Sequence, residues 1–316
     1  MNAGLEGFLQ ALNAGLLLGA HYGLMCVGLS LIFGVMRVIN FAHGDFMMAG
    51  MYVAFHLFAL LGLGAVFGSA AGPFIAALLA TPVLFLLGYL AQRLLVSRVT
   101  GTRVGALEGE GHYAQLILTL GLSLILQSGG QILFGSVPVS IPSDISSEAW
   151  EIDLAGGDVV VFVNQARAWG AAIAVALVAL LVLVITRSRL GKSLRAAADN
   201  VQAALYMGID VDRAHRITFG LGIAITAVAG GLLASSYPFT PYVGLEYVII
   251  MYAGVVLGGL GSTVGAFWGG LLIGVIQQCS ALLLPTQLQN TAIFVVFLLV
   301  VFLRPQGLLG RVSERT

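Results

Sequence analysis

The sequence predicts an all-α integral membrane protein, a polytopic helical bundle of about eight to nine spans with its N-terminus outside and its C-terminus in the cytoplasm. Its composition is 59% hydrophobic and 9% charged, with a mean hydropathy of +1.00, which describes a chain whose solvent is lipid. Apolar stretches recur at close to the ~20 residues needed to cross ~30 Å of hydrocarbon. Basic and acidic residues fall in separate segments between those stretches, and that segregation sets the orientation.

In chain order the stretches run 8 to 36, 46 to 68, 73 to 95, 114 to 134, 166 to 186, 214 to 236, 244 to 260, 264 to 284 and 288 to 304. Met1 to Gly7 has no Lys or Arg and carries Glu6, so it lacks the basic start of a cleaved signal peptide, and the first span is expected to stay as an anchor. Arg37 follows the first span; Arg93, Arg98 and Arg103 follow the third; Arg304, Arg311 and Arg315 follow the last. These ends are expected to face the cytoplasm. The segment 135–165 instead carries Asp144, Glu148, Glu151, Asp153 and Asp158 with no Lys or Arg, as expected of an extracytoplasmic loop. It also holds Pro138, Pro142 and the apolar run Val159 to Val163 after Gly156 and Gly157. That pattern suits a small hairpin or short helix capping the bundle, acting either as a solvated connector or as a contact for a soluble partner. Residues 1–316 read as one transmembrane domain. Fourteen acids balance fourteen bases, which gives no footing for a nucleic-acid partner, and Cys26 and Cys279 lie in apolar stretches as small hydrophobes.

Six of the fourteen basic residues, Arg187, Arg189, Lys192, Arg195, Arg213 and Arg216, crowd one thirty-residue polar island that contains the cytoplasmic coupling loop 187–215. Within it Leu194, Ala198, Val201, Leu205 and Gly208 fall three and four apart, the spacing of one short surface helix. Ser193 is the expected N-cap, Gly208 the stop, and Asp210 or Asp212 the cap of the next span. The island is either an interfacial helix held by positive-inside charge or a docking surface for a cytoplasmic motor. Gly191-Lys192-Ser193 mimics the end of a phosphate-binding loop, but Thr186 stands where that motif needs glycine, so no ATP is expected here.

Gly28-Leu-Ser-Leu-Ile-Phe-Gly34-Val-Met-Arg37-Val-Ile-Asn40-Phe-Ala-His43-Gly44-Asp45-Phe46 resembles the N-terminal signature of permease subunits in high-affinity branched-chain amino-acid ABC transporters. Four further blocks resemble that family in order. They are Thr119 to Ser123 with Gln127, Arg189 to Ala196 with Ala203 to Ile209, Gly258 to Ala266 with Gly269 and Gly270, and the ending Arg304-Pro-Gln-Gly307-Leu-Leu-Gly310-Arg311. The chain departs from the pattern between Arg98 and Tyr113, which is longer, richer in glycine and lacks an Arg-Pro pair, and in the far-side loop. The resemblance implies a multi-pass subunit of a bacterial cytoplasmic (inner) membrane. It would pair with a second homologous permease, take an amino acid from an extracytoplasmic substrate-binding protein and be driven by two cytoplasmic ATPase subunits. The chain itself would be no enzyme and bind no cofactor, ATP acting through the partner subunits. Gly191, Leu194, Arg195, Ala198, Val201, Leu205 and Gly208 then fall in the loop that couples to the ATPases.

Two other features have readings of their own. A helix from 8 to 36 would be about 43 Å long at 1.5 Å per residue, so it must tilt, protrude or break. Asn40, His43 and Asp45 follow beside Gly44, polar groups that near the bilayer line a broken element of the substrate path, or else form a cytoplasmic turn with Arg37 snorkelling. Gly258, Gly261, Gly265 and Gly269 recur about four apart and are expected to let helices approach closely, with a seam to the second permease as a further possibility. A route of Asn40 and backbone dipoles amid Phe, Leu and Gly favours zwitterions with apolar side chains. Urea, short amides or other amino acids remain alternatives, as does a proton-coupled transporter relaying through His43, Asp45 and Glu246.

Overall fold

A computed structural model describes residues 2–99, 110–154, 159–285, 288–304 and 306–309. Arg103, Gly156, Gly157, Asp158, Gly310, Arg311 and Arg315, which entered the sequence reading, lie outside the described residues. The chain is an all-α membrane protein with one two-stranded accessory. Its helices are α1 (Asn2–Met36), α2 (His43–Leu60), α3 (Leu63–Leu94), α4 (Glu110–Phe134), α5 (Gln165–Arg187), α6 (Arg189–Asp199), α7 (Val201–Tyr206), α8 (Val211–Leu233), α9 (Val243–Gly258), α10 (Thr263–Ser280) and α11 (Gln289–Leu303). Among the described residues α1, α3, α4, α5 and α8 are long and apolar enough to cross a membrane, whereas α9 and α11 are shorter apolar helices.

α1 is the axis. Its 35 residues extend about 52 Å at 1.5 Å per residue, so it protrudes rather than breaks. α10 lies antiparallel along it because glycines alternate across the seam: a side chain at Gly15 would meet the backbone of Val275 at 2.7 Å, and one at Gly270 the backbone of Gly23 at 2.5 Å. α8 crosses the other side of α1, also antiparallel, with Gly222 against Gly28. α3 packs against α8 through Gly88 and Gly220. At the protruding end of α1, Gln10 Oε1 accepts from Phe162 N (2.9 Å), Gln10 Nε2 and Asn13 Nδ2 donate to Phe162 O (2.8 and 3.2 Å), and Glu6 accepts from Val160 N. These polar groups pin the hairpin of β1 (Ala149–Leu154) and β2 (Val159–Asn164), the form the far-side loop takes.

The second and third stretches meet elsewhere than their spacing predicts. The chain turns at Gly62, with φ of 57°, and α3 starts at once, bending at Gly68 where φ is 79° and ψ 159°. The predicted limits fall at 68 and 73, yet both residues lie within α3, Gly68 as its bend and Pro73 inside the helix beyond it.

Two connections run inward rather than around the outside. After Met36 the segment 37–42 folds back along α1, alternating in burial as an extended strand does, until His43 stands level with Met25. Eleven residues separate Met25 from Met36, so the backbone climbs about 16 Å before α2 begins. The segment 234–242 behaves likewise after α8, where Val139 bridges Phe239 and Ile141 N donates to Ala234 O (2.9 Å). That is why α2 and α9 are short: an extended segment covers part of the depth for each.

Candidate functional site

The two short helices start against each other. A side chain at Gly244 would lie 2.5 Å from Asp45 Oδ1 and 2.8 Å from Asp45 N, so the first turns of α2 and α9 abut through the paired glycines 44 and 244. Both helices point their positive ends at this junction. Asp45, in the first turn of α2 and 1% exposed, places its carboxylate there. Its Oδ1 accepts from Gln127 Nε2 of α4 at 3.0 Å, with Ser123 Oγ 3.5 Å from the same nitrogen. A buried carboxylate held by an amide and two helix ends offsets part of its desolvation.

His43 and Asn40 are fully buried. His43 Nε2 lies 2.7 Å from Thr226 Oγ1, whose hydroxyl is also 3.0 Å from Gly222 O, so one hydrogen bond joins the start of α2 to α8. Among the described residues His43 Nδ1 and Asn40 Nδ2 have no partner. Asn40 Oδ1 accepts from Ala42 N (3.2 Å) and Asn40 O from His43 N (3.2 Å), a turn that fixes the direction in which α2 leaves. The structure therefore brings Asn40, His43, Gly44 and Asp45 together with Gln127 and Thr226. Thr226 had no legible signal: a threonine inside an apolar helix, 183 residues from its partner, looks like any other. The arrangement holds polar groups and unfilled hydrogen-bonding capacity deep in the bundle, and among the described residues no group of His, Cys, Asp and Glu is set to hold a metal.

The polar island is built differently from its expected single helix. Ser188 caps α6, accepting from Gly191 N at 3.0 Å, and Ser193 instead sits inside the helix, donating to Arg189 O. Asn200 then breaks the run and caps α7 by accepting from Ala203 N at 2.9 Å, because its side chain competes with the helix ladder. Gly208 takes φ of 77° and stops α7, and Asp210 caps α8. The expected ridge is split by this break. Leu194 is buried with Ala197, Ala204, Val211 and Ala214 against Val35 of α1, so it faces the bundle. Ala198 and Val201 are half-buried, Gly191 is buried against the backbone of Ile185, and Arg195 Nη2 donates to Thr186 O at 3.2 Å. The exposed apolar tip is Leu205, Tyr206 and Met207, the last two more than 80% exposed.

The glycines of α9 and α10 meet one another. Gly258 abuts Gly265, Gly269 abuts the backbone of Gly254 and Gly258, and Gly261 lies against Gly34 of α1 with φ of 84°. Along these glycines the close approach is made by this chain's own helices. Leu308 and Leu309 then bind back to the carbonyls of Leu257 and Gly258.

The family described as branched-chain amino acid transport system / permease component matches residues 11–303. The chain belongs to this permease family. It is 32% identical to the high-affinity branched-chain amino acid transport system permease protein LivH of Salmonella typhimurium over 311 residues, covering 96% of each chain. Over 313 residues it is 32% identical to the corresponding protein BraD of Pseudomonas aeruginosa, again covering 96% of each. The autoinducer 2 import system permease protein LsrC of an Enterobacter species is 28% identical over 275 residues, 77% of this chain and 74% of that one. No solved structure matches the chain. The inward-starting α2 of this permease carries the Asn40 to Asp45 block, and α4 carries Gln127, so two blocks of the sequence resemblance touch at one hydrogen bond.

Proposed function

We propose that this chain is the translocating permease subunit of an ATP-binding cassette importer for branched-chain, aliphatic amino acids, in the cytoplasmic membrane of a bacterium. The reading rests above all on the near end-to-end likeness to LivH and BraD, relatives named for that transport system. The chain crosses the membrane nine times, with the short helices α2 and α9 as partial crossings, the N-terminus outside and the C-terminus inside. The hairpin of β1 and β2 lies outside, where an extracytoplasmic binding protein delivers substrate. The 187–215 loop lies inside, and a cytoplasmic ATPase covers Leu205, Tyr206 and Met207. Two such ATPases and a second homologous permease complete the assembly.

The junction of α2 and α9 is the element such a motor moves. Two abutting helix starts, of which α2 is held by side-chain hydrogen bonds to α4 and α8, have an alternative arrangement available, with the helices apart and the junction open, and ATP bound elsewhere shifts the balance between the two. His43 pairs through one ring nitrogen, to Thr226 Oγ1, which suits a hydrogen-bonding role in that junction over a proton relay.

Reconstitution of the complete complex in liposomes tests the reading. ATP without a proton gradient should drive uptake of leucine, isoleucine or valine, and His43→Gln and Asp45→Asn should retain part of it. Uptake that needs a proton gradient and ignores ATP would refute the proposal. Tyr206→Asp should insert normally yet lose the ATPase and transport together. Cysteines placed at Asp153 and Arg195, in a chain lacking Cys26 and Cys279, should react with an impermeant reagent from outside and only from inside, respectively.

A further inference from the structure

We infer that the cleft between α9 and α11 is a binding site for a zwitterionic amino acid with a branched aliphatic side chain, Glu246 taking the ammonium group and Asn290 the carboxylate. This rests on the transport reading above and adds to it a place where the permease itself touches the cargo.

The first observation is one of depth. Glu246 precedes Tyr247, whose ring packs edge-on against Tyr22 of α1 at 5.9 Å. Tyr22 is fourteen residues from the Met36 end of α1, about 21 Å along a helix, which is well inside a hydrocarbon layer of ~30 Å. Yet Glu246 is exposed. A carboxylate open to hydrocarbon at that depth is not stable, so the surface around it borders water or a polar ligand. Asp45, the other acid at this level, is buried and already held by Gln127. Among the described residues no ion pair or hydrogen bond engages the Glu246 side chain, which lies in the first turn of α9 near that helix's positive end.

The second observation is the shape and chemistry of the cleft. Glu246 and Asn290 share it with Ile249, Ile250, Ile293 and Phe294, around a cavity of about 120 Å³. That is room for several waters at roughly 30 Å³ apiece, and hence for a branched side chain of three or four carbons between hydrocarbon walls. Asn290 is oriented by a relay: Tyr22 OH donates to Gln277 Oε1 at 2.9 Å, and Gln277 Nε2 donates to Asn290 Oδ1 at 3.2 Å. The amide oxygen is thereby occupied and Nδ2 is left to donate. Asn290 also lies in the first turn of α11, whose N-cap, Leu288, supplies no side-chain cap, so backbone donors stand beside the same position. One carboxylate, one fixed amide donor beside an open helix start, and an aliphatic cleft between them complement the two ends and the side chain of leucine, isoleucine or valine.

The test uses the purified complete complex and tritiated leucine. Glu246→Gln and Asn290→Ala should each lower leucine affinity, measured on the solubilised complex without binding protein, by ten-fold or more while the second permease and the ATPases still co-purify. Ile293→Phe narrows the cleft and should lower the ratio of leucine to valine uptake several-fold, which a purely structural defect would not do. Leu245→Ala, on the neighbouring turn but outside the cleft, should change neither quantity. Wild-type affinity and selectivity in Glu246→Gln and Ile293→Phe would overturn the site and leave the importer reading intact. Loss of the second permease in Glu246→Gln would overturn it in favour of a subunit seam. A wild-type complex that takes up no aliphatic amino acid would remove the importer's substrate assignment, and this site with it.

Discussion

α1 and α4 are alike in sequence and opposite in position. Their most apolar windows have mean hydropathies of 1.9 and 1.6, yet 83% of the α1 window is buried inside the chain and 17% of the α4 window. Hydropathy reports only that each helix prefers lipid to water; which one becomes the axis is decided by how closely other backbones can approach it. In α1, Gly15, Gly19, Gly23 and Gly28 meet α10 or α8 at contact distance. In α4, side chains at Gly121 and Gly129 would meet nothing, and Ile117, Leu124, Ile125, Ile132 and Leu133 are all more than 60% exposed. What holds α4 is one edge only: Ser123, Gln127 and Gly130 against Asp45 and Met48, and Phe134 stacked on Tyr52 at 4.1 Å. One helix is packed by shape along its length, the other held along one edge by a hydrogen bond and a stacked ring.

The largest expected effect comes from breaking the shape. Gly19→Leu or Gly23→Val forces a side chain into the backbone of Leu271 (2.9 Å) or Phe267 (2.8 Å), with little slack in either. Overpacking of this kind costs about 1–3 kcal/mol or more, and the variants should show lower thermal stability and lower yields of folded protein in detergent. A melting temperature equal to the wild type's would show that the α1–α10 seam opens readily.

Gln127→Ala should have the next largest effect. It leaves the Asp45 carboxylate without its amide donor, a loss of about 1–3 kcal/mol for a buried charged acceptor, and loosens α4 without disturbing the α1 seam. A Met48→Cys, Gly130→Cys pair, at a place where a Cβ on residue 130 would lie 3.5 Å from the Met48 sulfur, should be bridged by a short bifunctional thiol reagent in the wild-type background and less with Gln127→Ala. Undiminished cross-linking would mean that packing alone holds α4.

Gly121→Leu on the open face of α4 should change the stability of the isolated chain by no more than about 0.5 kcal/mol. The same variant in the assembled complex sharpens the comparison: unchanged pairing with the second permease assigns that face to lipid, and reduced pairing assigns it to the subunit interface.

Periodicity and charge determined the membrane class, the order of the helices and most of their limits, because burial in lipid imposes a length on every crossing and cations mark the ends. The capping role of Asp210 and the stop at Gly208 were legible for the same local reason: a cap or a positive φ depends on a few neighbouring residues. The Asn40 to Asp45 block stood out as polar groups in an apolar setting. What surrounds it did not, because Gln127 and Thr226 come from 82 and 183 residues away, and a hydrogen bond across that separation leaves no mark on either segment. The break at Asn200 was missed because the spacing of Leu194, Ala198, Val201 and Leu205 passes through it unaltered, and only the cap to Ala203 N shows that the helix restarts. The turn at Gly62 was missed because Gly62 and Gly68 both permit a reversal and composition does not rank them. Tertiary packing also decided the depth at which α2 and α9 begin. That depth follows from extended segments folding back beside α1 and α8, where the backbone of Gly244 must fit against Gly44, a condition imposed by two helices meeting in space and written in neither alone.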